Sequence, residues 1–167
     1  MLTIREATAR DVPTILALVK ELAAYEREPD AVTATEADFL RHGFGERPFY
    51  KALLAEWAGA PAGFALFFFG FSTWTGGPTL YLEDLFVRPE HRKKRIGLSL
   101  MQRLAREALH NGCTRFVWQV LDWNEPSIRF YESIGARVLR EWQSVRIDGD
   151  ALASLAAAAD DASASRT

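Results

Sequence analysis

The most apolar stretch of the chain, Ala62 to Phe71, restricts the possible folds more than any other segment. It is about ten residues long, with Gly63 and Gly70 near its ends, which is too short for a membrane-spanning helix and the right length for a buried strand. A second β-rich run, Phe49 to Glu56, lies just upstream across Trp57-Ala58-Gly59-Ala60-Pro61, a link that reads as a hairpin turn. A third run, Thr79 to Val87, follows the loop Ser72 to Pro78. Three successive strands of this kind need covering layers, and the flanking sequence supplies them.

Leu2 to Glu6 alternates as a first strand, after which Thr8 and Asp11 carry the hydroxyl-then-acid spacing of a helix start. Val12, Ile15, Leu16, Val19, Leu22 and Ala23 then recur at helical spacing as far as Tyr25. A shorter helix is predicted over Thr35 to His42, stopped by Gly43, and the acids Glu26, Glu28, Asp30, Glu36 and Asp38 crowd this region as a solvated face would. Gly97 to His110 is helical by period, with Leu98, Met101, Leu104, Ala105 and Ala108 on one face and Gly112 past its end. Arg115 to Val120 reads as a strand, Asn124 to Ile134 as a helix with Asn124 as cap and Gly135 as stop, and Arg137 to Ile147 as a last strand. Hairpins and β-helix-β crossovers together predict an α/β fold with a mixed sheet and helices on both faces. Residues 1–150 form one expected domain, and the Ala/Asp/Ser-rich tail 151–167 is expected to add a helical turn or two before fraying.

Composition narrows the function classes. Of 167 residues, 49% are hydrophobic and 25% charged, so a full core is available without metals or disulfides. The balance of 20 Lys+Arg against 22 Asp+Glu argues against a nucleic-acid binder, and charge has to be read locally. One cysteine, Cys113, and scattered His42, His91 and His110 support neither a metal site nor a Cys-His nucleophile. The opening MLTIREATARD has no apolar segment before a cleavage site, so no membrane association and a cytoplasmic location are expected.

The most informative local feature is Arg92-Lys93-Lys94-Arg95-Ile96-Gly97, a basic loop between a strand and a helix, where backbone N–H groups and cations can hold phosphate oxygens. It matches neither the nucleoside-triphosphate loop nor the three-glycine dinucleotide fingerprint. Taken alone, such a loop is more often simply solvated.

The loop stands between two further motifs, Leu80-Tyr81-Leu82-Glu83-Asp84-Leu85-Phe86-Val87-Arg88-Pro89 and Asn124-Glu125-Pro126-Ser127-Ile128-Arg129-Phe130-Tyr131-Glu132-Ser133-Ile134-Gly135-Ala136. In that order the three resemble the GCN5-related N-acetyltransferase (GNAT) superfamily. Lys20 to Glu26, Gly43 to Tyr50, Tyr81 to Asp84 and Trp123 to Ser127 resemble its diamine branch, the spermidine/spermine and thialysine N-acetyltransferases. The similarity runs from Thr3 to Asp148. It implies a mostly antiparallel sheet with one parallel, splayed strand pair, acetyl-CoA as donor, no metal, and a homodimer.

The resemblance also implies site residues. The donor's pantetheine arm would lie along Leu85, Phe86 and Val87, its pyrophosphate on Arg92, Lys93, Lys94, Arg95, Ile96 and Gly97, with Asn124 and Ser127 as further contacts. Tyr131 would protonate the departing thiolate, a reasonable pairing of a phenol near pKa 10 with a thiol near 8.5. Glu83 would help deprotonate the acceptor amine, and Tyr25, Glu26 and Trp74, with Glu83, would line the acceptor pocket. Strand alternation puts Glu83 and Asp84 on opposite faces, and Asp84 reads as a strand-end acid bonded to backbone.

Two departures from the family pattern bear on these roles. Arg95 stands where the family loop has its first glycine; if that position has positive φ, Arg95 is strained by about 1 kcal/mol, and if the glycine only permits close approach, Arg95 adds charge. Arg140 stands where polyamine enzymes carry an acid, which makes a lysine-like acceptor with its own carboxylate more attractive. The activity implied is acetyl transfer to a primary amine of a small molecule. Acetylation of a protein amine and a non-catalytic acyl-CoA-binding regulatory module are the alternatives.

Overall fold

The computed structural model describes residues 1–164. Its chain divides into two compact units that meet at Gln119 and Val120. The first holds a five-stranded sheet in sequence order, β1 (Leu2–Glu6), β2 (Lys51–Trp57), β3 (Ala60–Ser72), β4 (Gly77–Val87) and β5 (Arg115–Trp118). The first four strands are antiparallel neighbours, and β4 and β5 run parallel. Both central residues of the β2–β3 turn, Ala58 and Gly59, have positive φ, as a two-residue hairpin turn requires.

Helices cover both faces, as the sequence predicts. On one side lies α1 (Val12–Tyr25), entered through a 3₁₀ turn at Ala9–Asp11 whose capping box is Thr8 and Asp11. Its Ile15, Leu18 and Leu22 pack with Ala52, Leu54, Phe64, Leu66 and Phe86 of the sheet. Beside it, α2 (Glu36–Phe44) starts at the Thr35–Asp38 box and runs through Gly43, over which the Tyr50 ring packs. The expected stop at Gly43 is therefore displaced to Gly45. On the other side α3 (Ile96–His110) buries Ile96, Leu100, Met101, Leu104 and Ala108.

Gly63 on β3 lies tight against the backbone of β4. A Cβ there would sit 2.4 Å from the carbonyl oxygen of Phe86 and 3.1 Å from Cα of Val87, both backbone atoms of the paired strand. Gly63→Ala is therefore expected to destabilise the protein by about 1–3 kcal/mol, since backbone cannot turn aside as a side chain can. Urea unfolding with an unchanged slope and a lowered midpoint is the expected result.

In the second unit α4 (Glu125–Ser133) starts at Asn124, whose Oδ1 accepts from the Ser127 amide, and Gly135 follows at positive φ. Two expectations fail here. Arg137 to Ile147 contains no strand; a turn at Arg140 and Glu141, closed by the Trp142 amide donating to the Leu139 carbonyl, interrupts the β-rich run. The tail forms α5 (Gly149–Ala164), longer than a turn or two, because eight of its sixteen residues are alanine, the best helix former. Residues 165–167 lie outside the described part. Among the described residues no helix is long and apolar enough to cross a membrane.

Candidate active site

The parallel pairing of β4 with β5 ends at Leu82 and Trp118, while β4 continues to Val87. Asp84 to Val87 therefore keep antiparallel partners in β3 and have none in β5, which is the splay the resemblance implies. An extended amide-bearing chain can hydrogen-bond to such an edge. Phe86 is buried in the core, so any contact it makes there is through backbone.

The splay coincides with a β-bulge. Leu66 pairs with Asp84 and Phe67 with Leu82, so Glu83 is an extra residue with no partner across the ladder. A bulge resets the alternation. Leu80 and Leu82 pair with Phe69 and Phe67, on the face opposite Leu66; beyond the bulge, Asp84 and Phe86 pair with Leu66 and Phe64, which face α1. Glu83 is left exposed at the point of reversal. The bulge therefore turns Asp84 to the face opposite Leu82.

Asp84 was expected to bond backbone. It instead lines a cavity of about 210 Å³ with Val19, Leu22, Ala23, Glu26, Glu28, Ala31 and Val32. Burial, then the nearby charges of Glu83 and Glu26, push its carboxyl up to about 6. Burial also raises Glu26. Asp84 and Glu28 are the residues that reading the sequence missed as candidates. No residue signal marks the bulge; the parity of Leu80, Leu82, Asp84 and Phe86 reads as a single face unless a bulge intervenes.

The basic loop begins with a 3₁₀ turn at Pro89–His91. Arg92 donates from Nε to the Val87 carbonyl at 3.2 Å, and its guanidinium lies 4.6 Å from the centre of the Tyr25 ring. Lys94 lies over the Trp57 ring and within 3.2 Å of His91 Nδ1. The sheet-to-helix corner is held by Arg88, which donates to the Glu21 carboxylate at 2.7–3.2 Å and to the Pro61 carbonyl at 2.8 Å. The first amides of α3, at Ile96 and Gly97, have no partner within the helix, which makes the loop a ready anion site.

Arg95 resolves the alternative left open by the sequence. It is the N-cap of α3 at φ 62° and ψ 14°, the left-handed region, so the position does demand what glycine supplies. Lys93 also has positive φ. Arg95→Gly is expected to raise stability by about 1 kcal/mol, seen as a melting temperature about 2–4 °C higher.

Tyr25 and Glu26 stand together at the end of α1, half-buried, Glu26 in the cavity and Tyr25 against Arg92. Trp74, in the β3–β4 loop, is 79% exposed and does not line that cavity. Asn124, Ser127 and Tyr131 belong to the second unit, where Tyr131 is half-buried on α4 with its ring against Phe130.

A splayed parallel pair with a bulge at its fork and a basic loop at the start of α3 lie next to one another in the chain, and residues 15–136 match the Acetyltransferase (GNAT) family. The chain belongs to the GNAT acetyltransferase family. This acetyltransferase is 42% identical to the thialysine N-epsilon-acetyltransferase of Sus scrofa, over 92% of this chain and 96% of that one. It is 30% identical to an L-ornithine N5-acetyltransferase of Arabidopsis thaliana, over 91% and 86%. Among solved structures, an integron cassette protein from the mobile metagenome of V. cholerae superposes with a TM-score of 0.78 at 30% identity, covering 93% of this chain and 97% of that one. The acetyltransferase is thus an N-acetyltransferase with amine-acetylating relatives.

Proposed function

We propose that the enzyme moves an acetyl group from acetyl-CoA to a primary amine of a small molecule, a diamine, a polyamine or a lysine-like amino acid, by direct attack while both substrates are bound. The observation that carries this reading is the cavity in which Glu26, Glu28 and Asp84 combine carboxylates with the apolar wall of Val19, Leu22, Ala23 and Val32. Carboxylates hold ammonium groups and an aliphatic wall suits methylenes, so the cavity fits a short cationic chain. The similarity to enzymes named for thialysine and ornithine supports the same class.

The acceptor ammonium, with a lysine-like pKa near 10.4, must lose a proton before attack, which costs about 4–5 kcal/mol at pH 7. Glu83, at the bulge, takes this proton directly or through water, and Asp84 and Glu26 hold the acceptor's cationic chain. The amine nitrogen bonds to the acetyl carbon, the carbon–sulfur bond breaks, and the sulfur leaves with the electron pair. Tyr131 supplies the proton that makes it a thiol. Arg92, Arg95 and the amides of Ile96 and Gly97 hold the pyrophosphate, with Lys93 and Lys94 contributing field, and the edge of Leu85 to Val87 holds the pantetheine arm; Asn124 and Ser127 are assigned to the donor by resemblance. Trp74 belongs to the acceptor side by resemblance.

Thiol release from acetyl-CoA tests the reading, measured at mildly alkaline pH against diamines, polyamines, lysine-like amino acids and a lysine-containing peptide. Release with one or more small amines and not with the peptide is the expected result. Release with the peptide alone would establish a protein-amine acetyltransferase. CoA binding without any acceptor-dependent release would leave an acyl-CoA-binding module.

A further inference from the structure

We infer that Glu28 is a specificity-determining residue of the acceptor site: it holds the second ammonium of a diamine or polyamine and so favours these over an amino acid whose far end carries a carboxylate. The inference rests on the proposed function and chooses among the acceptor classes that reading leaves open.

The placement of Glu28 follows from the way α1 ends. Glu26 is the C-cap, after which the Arg27 amide donates to the Ala24 carbonyl at 3.2 Å and the Glu28 amide to the Ala23 carbonyl at 2.9 Å, with Arg27 in the left-handed region at φ 69°. This pair of bonds is the Schellman ending, in which the residue at the Glu28 position is brought back over the last turn and frequently makes an apolar contact there. Leu22 and Ala23, the residues of that turn, are part of the apolar wall of the cavity, and the side chain brought beside them is an acid. Glu28 also lies outside Lys20 to Glu26, the segment on which the likeness to the diamine branch rests at this end of α1. A local preference for an apolar side chain is thus set aside where the chain passes the acceptor cavity, as happens where function overrides local packing.

The three acids of the cavity differ in depth. Asp84 and Glu26 are half-buried, whereas Glu28 is exposed, on the loop that also supplies Ala31 and Val32. A diamine whose reacting nitrogen lies toward Glu83 and Asp84 runs its methylenes along Leu22, Ala23 and Val32 and brings its second ammonium to Glu28. A lysine-like acceptor brings a carboxylate to the same place, beside a like charge. Because Glu28 stands in water, its attraction is that of a rim ion pair, which shifts affinity a few-fold and not by orders of magnitude.

The test measures kcat and KM of the full chain with a straight-chain diamine, the monoamine of the same chain length and free lysine, for the wild type, Glu28→Gln and Glu28→Lys. The wild type is expected to prefer the diamine to lysine. Glu28→Gln should lower the ratio of kcat/KM for the diamine over that for the monoamine about 2- to 5-fold, through KM, and Glu28→Lys about 4- to 20-fold, with lysine gaining relative to the diamine. Added salt should shrink the Glu28→Lys deficit, since the charge is exposed. Arg140, which by resemblance favours an acceptor with its own carboxylate, sets the opposing expectation, so a wild-type preference for lysine would overturn the inference. Equal losses for diamine and monoamine, or losses confined to kcat, would overturn it too. If the wild type releases no thiol with any small amine, the proposed function fails and the inference with it; if the wild type acetylates the diamine and Glu28→Lys leaves the ratio unchanged, the inference alone fails.

Discussion

Replacing Asp84 by asparagine is expected to lower kcat/KM for a diamine about 10- to 100-fold and, at the same time, to make the folded protein more stable at pH 8. Both effects have one cause. The carboxylate lies in the cavity beneath α1, with Glu26 and Glu83 near it, and burial together with those charges raises its pKa to about 6. Ionised, it attracts a cationic acceptor from a partly desolvated position, where losing one partner of a charge pair costs about 2–5 kcal/mol. Without an acceptor, the same charge is a liability.

The sign of the stability change follows from proton binding. Below about pH 3 the carboxyl is protonated in both the folded and the unfolded chain, and Asp84 and asparagine are nearly equivalent. Between about pH 3 and pH 6 the unfolded chain releases its proton while the folded protein keeps it, so stability falls as pH rises. Above pH 6 the whole penalty is present, about 2–3 kcal/mol for a rise from 3.8 to about 6. Asp84→Asn is therefore expected to melt about 5–10 °C higher at pH 8 and at the wild-type temperature near pH 3. In activity, the wild-type enzyme's kcat/KM should fall more steeply below pH 6 than that of the variant, whose pocket has no such charge to lose. An identical melting difference at pH 3 and pH 8 would show that the carboxylate is not held where its charge is costly. Glu83→Gln offers the contrast: Glu83 is exposed, and its loss acts on kcat if it accepts the acceptor's proton.

Asp84 also marks how far the residues alone could be read. The strands, the two capping boxes, the hairpin at Ala58-Gly59 and the amphipathic faces of α1 and α3 all follow from local rules, because the spacing of apolar side chains and the chemistry of caps act over a few residues. The bulge at Glu83 does not. It exists because two strands pair with one residue of mismatch, and its consequence, an acid turned from the backbone into a cavity, depends on Leu66 and Phe67 some seventeen residues upstream. Arg95 is an intermediate case: resemblance exposed the missing glycine, and only the backbone decided between strain and close approach. Arg137 to Ile147 shows the reverse error, in which β-rich composition exists without a strand, since β propensity expresses fit to neighbouring strands more than a preference of the backbone itself.

Tyr131→Phe should reduce kcat about 10²- to 10⁴-fold while leaving CoA affinity within 2-fold, the span general acid catalysis commonly supplies. The substitution removes the hydroxyl and keeps the ring. Its ring packs against Phe130 with centres 5.3 Å apart, a contact phenylalanine retains. Its carbonyl accepts from the amides of Ile134 at 3.2 Å and Ala136 at 3.0 Å, so the backbone at the end of α4 is fixed by bonds that do not involve the hydroxyl. Loss of activity with intact folding and intact CoA affinity would thus place the hydroxyl in the chemical step. The pH dependence separates a proton donor from a merely polar contact. A thiol of pKa near 8.5 needs its proton less as pH rises past that value, so the deficit of the variant should narrow at pH 9 relative to pH 7. A deficit below about 3-fold, or one appearing only as a raised KM, would remove Tyr131 from the chemistry and return the protonation of the leaving sulfur to solvent.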